Sequence, residues 1–148
     1  MPVVVRSVEA EDRSDWERLF VAYGVFYETT FDADVLSGVW GWLTDDSHEV
    51  SALVAVDGSG ALVGFAHYRR LADTFTAGPG WFLDDLYVAP SARGAGAATA
   101  LIDAVAEHAA ANGGGTLRWI TAADNHTAQR VYDRVAARAT WVTYERKT

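Results

Sequence analysis

The chain reads as a single mixed α/β domain on a partly antiparallel sheet, and three observations carry that expectation. Half of its 148 residues are hydrophobic and 12% are aromatic, which allows a sizeable single core and does not fit a disordered chain. Its apolar residues switch between the period of a strand and that of a helix along the whole length. In its middle a hairpin, a further strand and a glycine-rich helix start follow one another, with no repeat or linker to divide residues 1–148 into smaller domains.

Val3-Val4-Val5 predicts a short first strand. Trp16, Leu19, Phe20, Tyr23 and Tyr27 recur at spacings of three or four and predict an amphipathic helix over 12–27. Asp32 suits the N-cap of a second helix that carries Val35, Leu36, Val39, Trp40 and Leu43 on one face. Residues 50–56, the turn Asp57-Gly58-Ser59-Gly60 and residues 61–68 predict a β-hairpin. Residues 81–88 form another strand, stopped by Pro90. A long helix follows with Ala98, Leu101, Ile102, Val105 and Ala109 inward, ending near Gly113-Gly114-Gly115. A strand over 116–121, a helix over 125–135 and a closing strand over 140–145 complete the order.

Composition narrows the function. A formal net charge of −8 argues against nucleic acid as a partner, because phosphate neutralisation needs clustered Lys and Arg. The same charge suits cationic small molecules or basic peptides, and it equally serves solubility. There is no cysteine, so disulfides, thiolate metal sites and a cysteine nucleophile are ruled out. No run approaches the roughly 18 apolar residues of a membrane span, and the N-terminus lacks a signal-peptide pattern. A cytoplasmic protein with no membrane association is expected. The four histidines lack the spacing of a metal site, and no metal is expected. His48 and His108 read as surface residues; His67 and His126 are the two worth considering at a site.

Residues 84–98 carry most of the functional weight. A strand hands over to Ser91-Ala92-Arg93-Gly94-Ala95-Gly96-Ala97-Ala98, which opens a helix. The first turn of a helix leaves backbone N–H groups unpaired and adds positive potential. Gly94 and Gly96 let a diphosphate approach that backbone, and Arg93 can add a charge-assisted hydrogen bond. Taken alone, the glycines fit a tight turn equally well. A dinucleotide fingerprint is disfavoured, because the loop follows a hairpin instead of opening a parallel βαβ array.

Arg93-Gly94-Ala95-Gly96-Ala97-Ala98 resembles the cofactor motif of the GNAT superfamily of N-acetyltransferases, and Leu83-Asp84-Asp85-Leu86-Tyr87-Val88 resembles that family's fourth strand. Trp119-Ile120-Thr121 followed by Asn125, His126, Ala128, Gln129 and Tyr132, together with Tyr144-Glu145-Arg146-Lys147, is similar to the branch of the fungal histone and polyamine acetyltransferases. The resemblance implies a GNAT-like fold with about four helices around a mostly antiparallel sheet. It implies acetyl-coenzyme A as co-substrate and direct acetyl transfer to an amine in a ternary complex. Cofactor contacts are then expected from Leu86, Tyr87 and Val88, whose strand would pair with the pantetheine arm, and from Arg93, Gly94, Ala95, Gly96, Ala97, Ala98 and Asn125. Tyr132, two turns after Asn125, is the expected proton donor to the leaving thiolate. Asp84 and Asp85 are candidates to take the amine's proton or hold its cation, Asp84 by analogy with polyamine-acetylating relatives. Their side chains should face opposite ways unless a bulge intervenes.

For the acceptor amine, Tyr27 and Glu28 with Tyr23, Phe26 and Phe31 could form an aromatic, acidic pocket, or simply pack the helices. Polyamine, amino acid, aminoacyl compound and protein lysine stay open. After Tyr132 the family's glycine–aromatic pair is replaced by Val135-Ala136-Ala137-Arg138, which leaves the path into the last strand open. Two other classes compete: a cofactor-binding sensor without turnover, and an acidic protein-interaction module. The resembled branch and the six tryptophans also motivate a homodimer.

Overall fold

Val4–Ser7 (β1), Val50–Val56 (β2), Leu62–Asp73 (β3), Gly78–Val88 (β4) and Leu117–Arg118 (β5) pair in that order into one sheet of the computed structural model, which describes residues 2–148. The first three pairings are antiparallel, and β4 with β5 is parallel. Arg13–Phe26 (α1) and Ala33–Leu43 (α2) cover one face; Ala97–Ala111 (α3) and His126–Val135 (α4) cover the other. This is the mixed α/β fold the sequence predicts, with the sheet mostly antiparallel.

The two faces of each central strand feed two cores. Leu53, Ala55, Ala66, Tyr68, Trp81 and Leu83 meet Leu101, Ile102 and Val105 of α3, while Val54 and Phe65 meet Trp16, Leu19, Phe20, Leu36 and Trp40. Strand alternation thus supplies both layers, which is why the hairpin reads as a nearly unbroken apolar run. Leu101 is wholly buried, so its truncation to alanine would cost about 2–5 kcal/mol.

Local chemistry sets the element ends. The Asp32 carboxylate accepts from the Val35 N–H at 2.9 Å, capping α2 as its position in the sequence predicts. The C-terminus of α1 closes as a Schellman motif: the Glu28 N–H donates to the Val25 carbonyl and the Thr29 N–H to the Gly24 carbonyl. That motif puts Glu28 at φ +56°, a left-handed conformation that usually belongs to glycine. Arg6 grips Asp12 with two hydrogen bonds, 2.7 and 3.0 Å, tying the first strand to the start of α1.

Three boundaries differ from the sequence expectation. β3 runs on to Asp73 and β4 begins at Gly78, because Arg69-Arg70 and Gly78-Pro79-Gly80 join the ladder although neither stretch looks strand-like. β5 is two residues long and leaves the ladder after Arg118. The expected closing strand over 140–145 is absent; Trp141, Val142 and Tyr144 are 78%, 75% and 91% exposed. A last strand needs an edge to join, and β5 ends before it offers one. The missing glycine turn after α4 removes the usual means of folding the chain back.

Candidate active site

The short β5 opens the sheet. Beyond Trp81 and Phe82, β4 pairs only with β3, so its other edge is unpaired from Leu83 to Val88. The Ala89 N–H bonds the Val63 carbonyl, and by alternation the backbone groups of Leu86 and Val88 point away from β3, toward that open edge. Tyr87 has the opposite sense: its carbonyl lies 2.8 Å from where a side chain at Gly64 would begin. An extended ligand carrying amide groups could add to this edge as a further strand.

At its end the strand meets the glycine loop. Gly94 and Gly96 have φ of +88° and +80°, and a Cβ on either would meet nothing within 4 Å. The glycines are therefore required by backbone conformation, not by crowding, and the space above them is open to a ligand. Gly96 caps α3, whose first N–H groups from Ala97 onward lack partners within the helix. Ala97 is buried against the core, so Ala97 and Ala98 contribute backbone only. The Arg93 Nε donates to the Val88 carbonyl at 3.2 Å, and its guanidinium lies 5.9 Å from the Tyr87 ring centroid. The terminal nitrogens of Arg93 make no hydrogen bond among the described residues. Asn125 is the N-cap of α4 and spends its Oδ1 on the Ala128 N–H, which leaves its amide nitrogen for a ligand.

The aspartates sit at a bulge. His67 faces Asp85 but Tyr68 faces Leu83, so Asp84 is the extra residue. The Arg69 Nε contacts both Asp84 oxygens at 3.0 and 3.1 Å, and His67 Nδ1 lies 2.9 Å from Asp85 Oδ2. His67 and Arg69 are two apart on β3 and share a face, so both carboxylates lie on the α1 side. Of the two arrangements the sequence allowed, the bulge selects the one with consecutive side chains together. The two are not equivalent: Asp84 is paired with a guanidinium, whereas Asp85 meets the His67 ring and Tyr23.

Of the three site tyrosines, Tyr23 is the one that meets Asp85. Burial, and then the charge of Asp85 and a hydrogen bond to it, push the Tyr23 phenol above the usual tyrosine range. Burial first, then Tyr27, pushes the Tyr132 phenol the same way. Tyr23 and Tyr27 meet edge to face at 5.0 Å, and Tyr132 packs on Trp119 at 5.5 Å. Tyr27 follows the C-terminus of α1, and Tyr132 packs with the core on the α3 side of the sheet. Burial also raises the Asp84 carboxyl above its ordinary value, with Arg69 pulling it back.

Among the other expected pocket residues, Phe31 stacks on Phe20 at 4.4 Å and belongs to the core, and Phe26 is exposed. Glu28 is exposed just beyond the α1 C-terminus and, among the described residues, its side chain makes no hydrogen bond or ion pair with the rest of the site. Arg69 was not singled out from the sequence. Its signal was the spacing Phe65, His67, Arg69 on the strand opposite an Asp pair.

The described geometry agrees with what the chain is similar to. The family model described as acetyltransferase (GNAT) family matches residues 9–136. D-amino-acid N-acetyltransferase HPA3 of Saccharomyces cerevisiae (strain ATCC 204508 / S288c) is 30% identical over 145 residues, spanning 97% of this chain and 90% of that protein. The crystal structure of a ribosomal-protein-alanine N-acetyltransferase from Brucella melitensis biovar Abortus 2308 superposes with a TM-score of 0.83 at 24% identity, covering 100% of both chains. Aminoglycoside N-acetyltransferase AAC(6')-Iy in complex with CoA gives 0.82 at 23% identity, over 98% of this chain and 94% of that one. The last two are likenesses of fold. Motif, fold and family model agree, and the chain belongs to the GNAT family of acetyltransferases and is an N-acetyltransferase.

Proposed function

We propose that this enzyme acetylates the primary amine of a small molecule, with free amino acids as the leading class and polyamines as the alternative, and binds both substrates at once. The observation that carries this is Asp85: a half-buried carboxylate with no Arg or Lys partner, held by His67 and met by Tyr23, on the strand whose other edge is open. A cationic amine fits that carboxylate and that aromatic ring. An amino acid also brings a carboxylate, and Arg69, one residue from Asp85 through the Asp84 pair, is a fitting partner for it. The yeast relative's name, a D-amino-acid N-acetyltransferase, supports starting there.

Acetyl-coenzyme A fits the residues present. The open backbone edge at Leu86 and Val88 would hold the pantetheine arm, and Arg93 with the amides from Gly94 to Ala98 would hold the diphosphate. Asn125 would add its amide nitrogen. When bound, the cofactor supplies an activated acetyl group on a thiol leaving group. The protein's part is proton handling. An alkylammonium has a pKa near 10, so it must shed a proton before it can act as a nucleophile. Asp85 accepts that proton at Oδ1, the oxygen His67 does not hold. Tyr132 retains its Oη–H through neutral pH and serves as the donor on the opposite side. Tyr27 and Glu28 line the approach for the amine.

Thiol release with a panel of D- and L-amino acids and polyamines, with the acetylated product identified by mass, tests the substrate class. Asp85→Asn should lower kcat/KM by about 100-fold. Asp84→Asn should lower it less, because Arg69 already offsets that charge. Equal losses would remove the distinction. The exposed Trp141, Val142 and Tyr144 and the unpaired edge of β5 also support a homodimer in which a second copy covers these surfaces. No helix among the described residues is long and apolar enough to cross a membrane, and the cytoplasm is the compartment we propose.

A further inference from the structure

A buried polar chain lies directly behind the candidate site. The Trp16 indole Nε1–H donates to His67 Nε2 at 2.9 Å, and His67 Nδ1 is 2.9 Å from Asp85 Oδ2. Trp16 is fully buried and His67 is 2% exposed, with the Phe65 and Phe20 rings 4.6 and 5.0 Å from its own. Only at Asp85, whose side chain is 26% exposed, does the chain reach solvent.

Hydrogen-bond chemistry fixes the proton. An indole N–H can only donate, so Nε2 must present its lone pair. The single proton of the neutral ring then resides on Nδ1, where it donates to Asp85. The charged and titratable groups that face this pair are Tyr23 from α1, Arg69 from β3 and Asp84 from β4, with Tyr27 beyond Tyr23. None of them offers Nε2 an alternative partner among the described residues. His67 therefore cannot take the amine's proton: the indole closes Nε2, and Nδ1 already carries the proton it donates to Asp85.

We propose that His67, locked in its Nδ1–H form by the Trp16 indole, is a positioning residue that holds the Asp85 carboxylate in the orientation that receives the substrate amine. This rests on the acetyl-transfer function proposed above. A half-buried aspartate on a bulge, met by Tyr23 from α1, still needs a fixed partner on its inner side. A donor at fixed distance, itself clamped from behind, keeps Oδ2 occupied and turns Oδ1 outward, which is how a second layer of hydrogen bonds fixes a reacting group. The bulge has a use here, since it is what brings Asp85 opposite His67 while Asp84 turns to Arg69.

Two substitutions separate this role from simple packing. Asparagine at position 67 keeps a donor near the Nδ1 position and gives up the indole; glutamine reaches the Nε2 position and gives up Asp85. The proposal predicts that His67→Gln lowers kcat/KM for the amine at least about tenfold, a fraction of the usual contribution of a positioned acid or base. KM for acetyl-coenzyme A should stay within about twofold, and His67→Asn should recover most of the loss despite the broken indole bond. A residue that only packs would give the reverse order, or losses that follow thermal stability in both variants. On the unmodified protein, 15N NMR above the ordinary histidine pKa of about 6.5 should show the His67 proton on Nδ1. A proton on Nε2, or glutamine working as well as histidine, would overturn the proposal. An unmodified enzyme that acetylates no amine would sink the proposed function instead, and the NMR result would still judge the His67 assignment.

Discussion

Tyr132 is where one side chain's environment makes the clearest prediction. Its phenol is raised by burial, so the O–H persists to higher pH than in an ordinary tyrosine. A donor that ionises late does not limit the rate as pH rises to about 10. In the pH profile of kcat no alkaline loss from this group should therefore appear below that value. Tyr132→Phe should reduce kcat by about 10- to 100-fold and leave acetyl-coenzyme A affinity, measured by calorimetry, nearly unchanged. Glu28 makes a different kind of prediction. At φ +56° it pays for the Schellman turn with a conformation that costs non-glycine residues about 1–2 kcal/mol. Glu28→Gly should raise stability by about 1 kcal/mol in denaturant titration, and any rise in KM for the amine would then be a direct effect on the pocket. Tyr23 and Tyr27 were readable in the sequence from helix periodicity, and Tyr132 and the two aspartates from the family resemblance, as candidates. Their arrangement was not, because a one-residue bulge reverses which face Asp84 uses and nothing local in the sequence announces it.

At the scale of elements, two glycines show why one residue type can mean two things. Gly115 has φ +105°, and a Cβ there would lie 2.1 Å from the Pro79 carbonyl oxygen, so Gly115→Ala should cost at least about 3 kcal/mol and loosen β5 from β4. Gly96 is also left-handed but meets open space. Gly96→Ala should cost only about 1–2 kcal/mol in stability yet weaken acetyl-coenzyme A binding, a separation visible by comparing urea midpoints with ligand-induced thermal shifts. The Arg6–Asp12 clamp gives the acid response. Its hydrogen bonds from Arg6 hold the Asp12 carboxyl below the usual range, so its contribution is present above about pH 4 and is lost as pH falls further. Asp12→Asn should flatten that part of the stability curve. Helices, caps and the hairpin were legible because periodicity and Asp32 encode them locally. The lengths of β3, β4 and β5 were not, since a strand's extent depends on its partner; Arg69-Arg70 is strand only because Phe82 and Trp81 lie opposite.

For the whole molecule, the open end of the sheet links fold to function. Shortening β5 frees the β4 edge at Leu86 and Val88 and leaves Trp141, Val142 and Tyr144 without a strand to join. Removal of residues 137–148 should convert a dimer to a monomer in light scattering, and a monomer before truncation would remove the second copy from the account. The most direct check of the central claim is amine-dependent thiol release by the unmodified enzyme with acetyl-coenzyme A and a D- and L-amino acid panel. The account predicts release that requires both substrates, an N-acetylated product, and at least a tenfold smaller rate in Asp85→Asn. Release at the same rate in Asp85→Asn, or none with any amine from a folded protein that binds acetyl-coenzyme A, would contradict it.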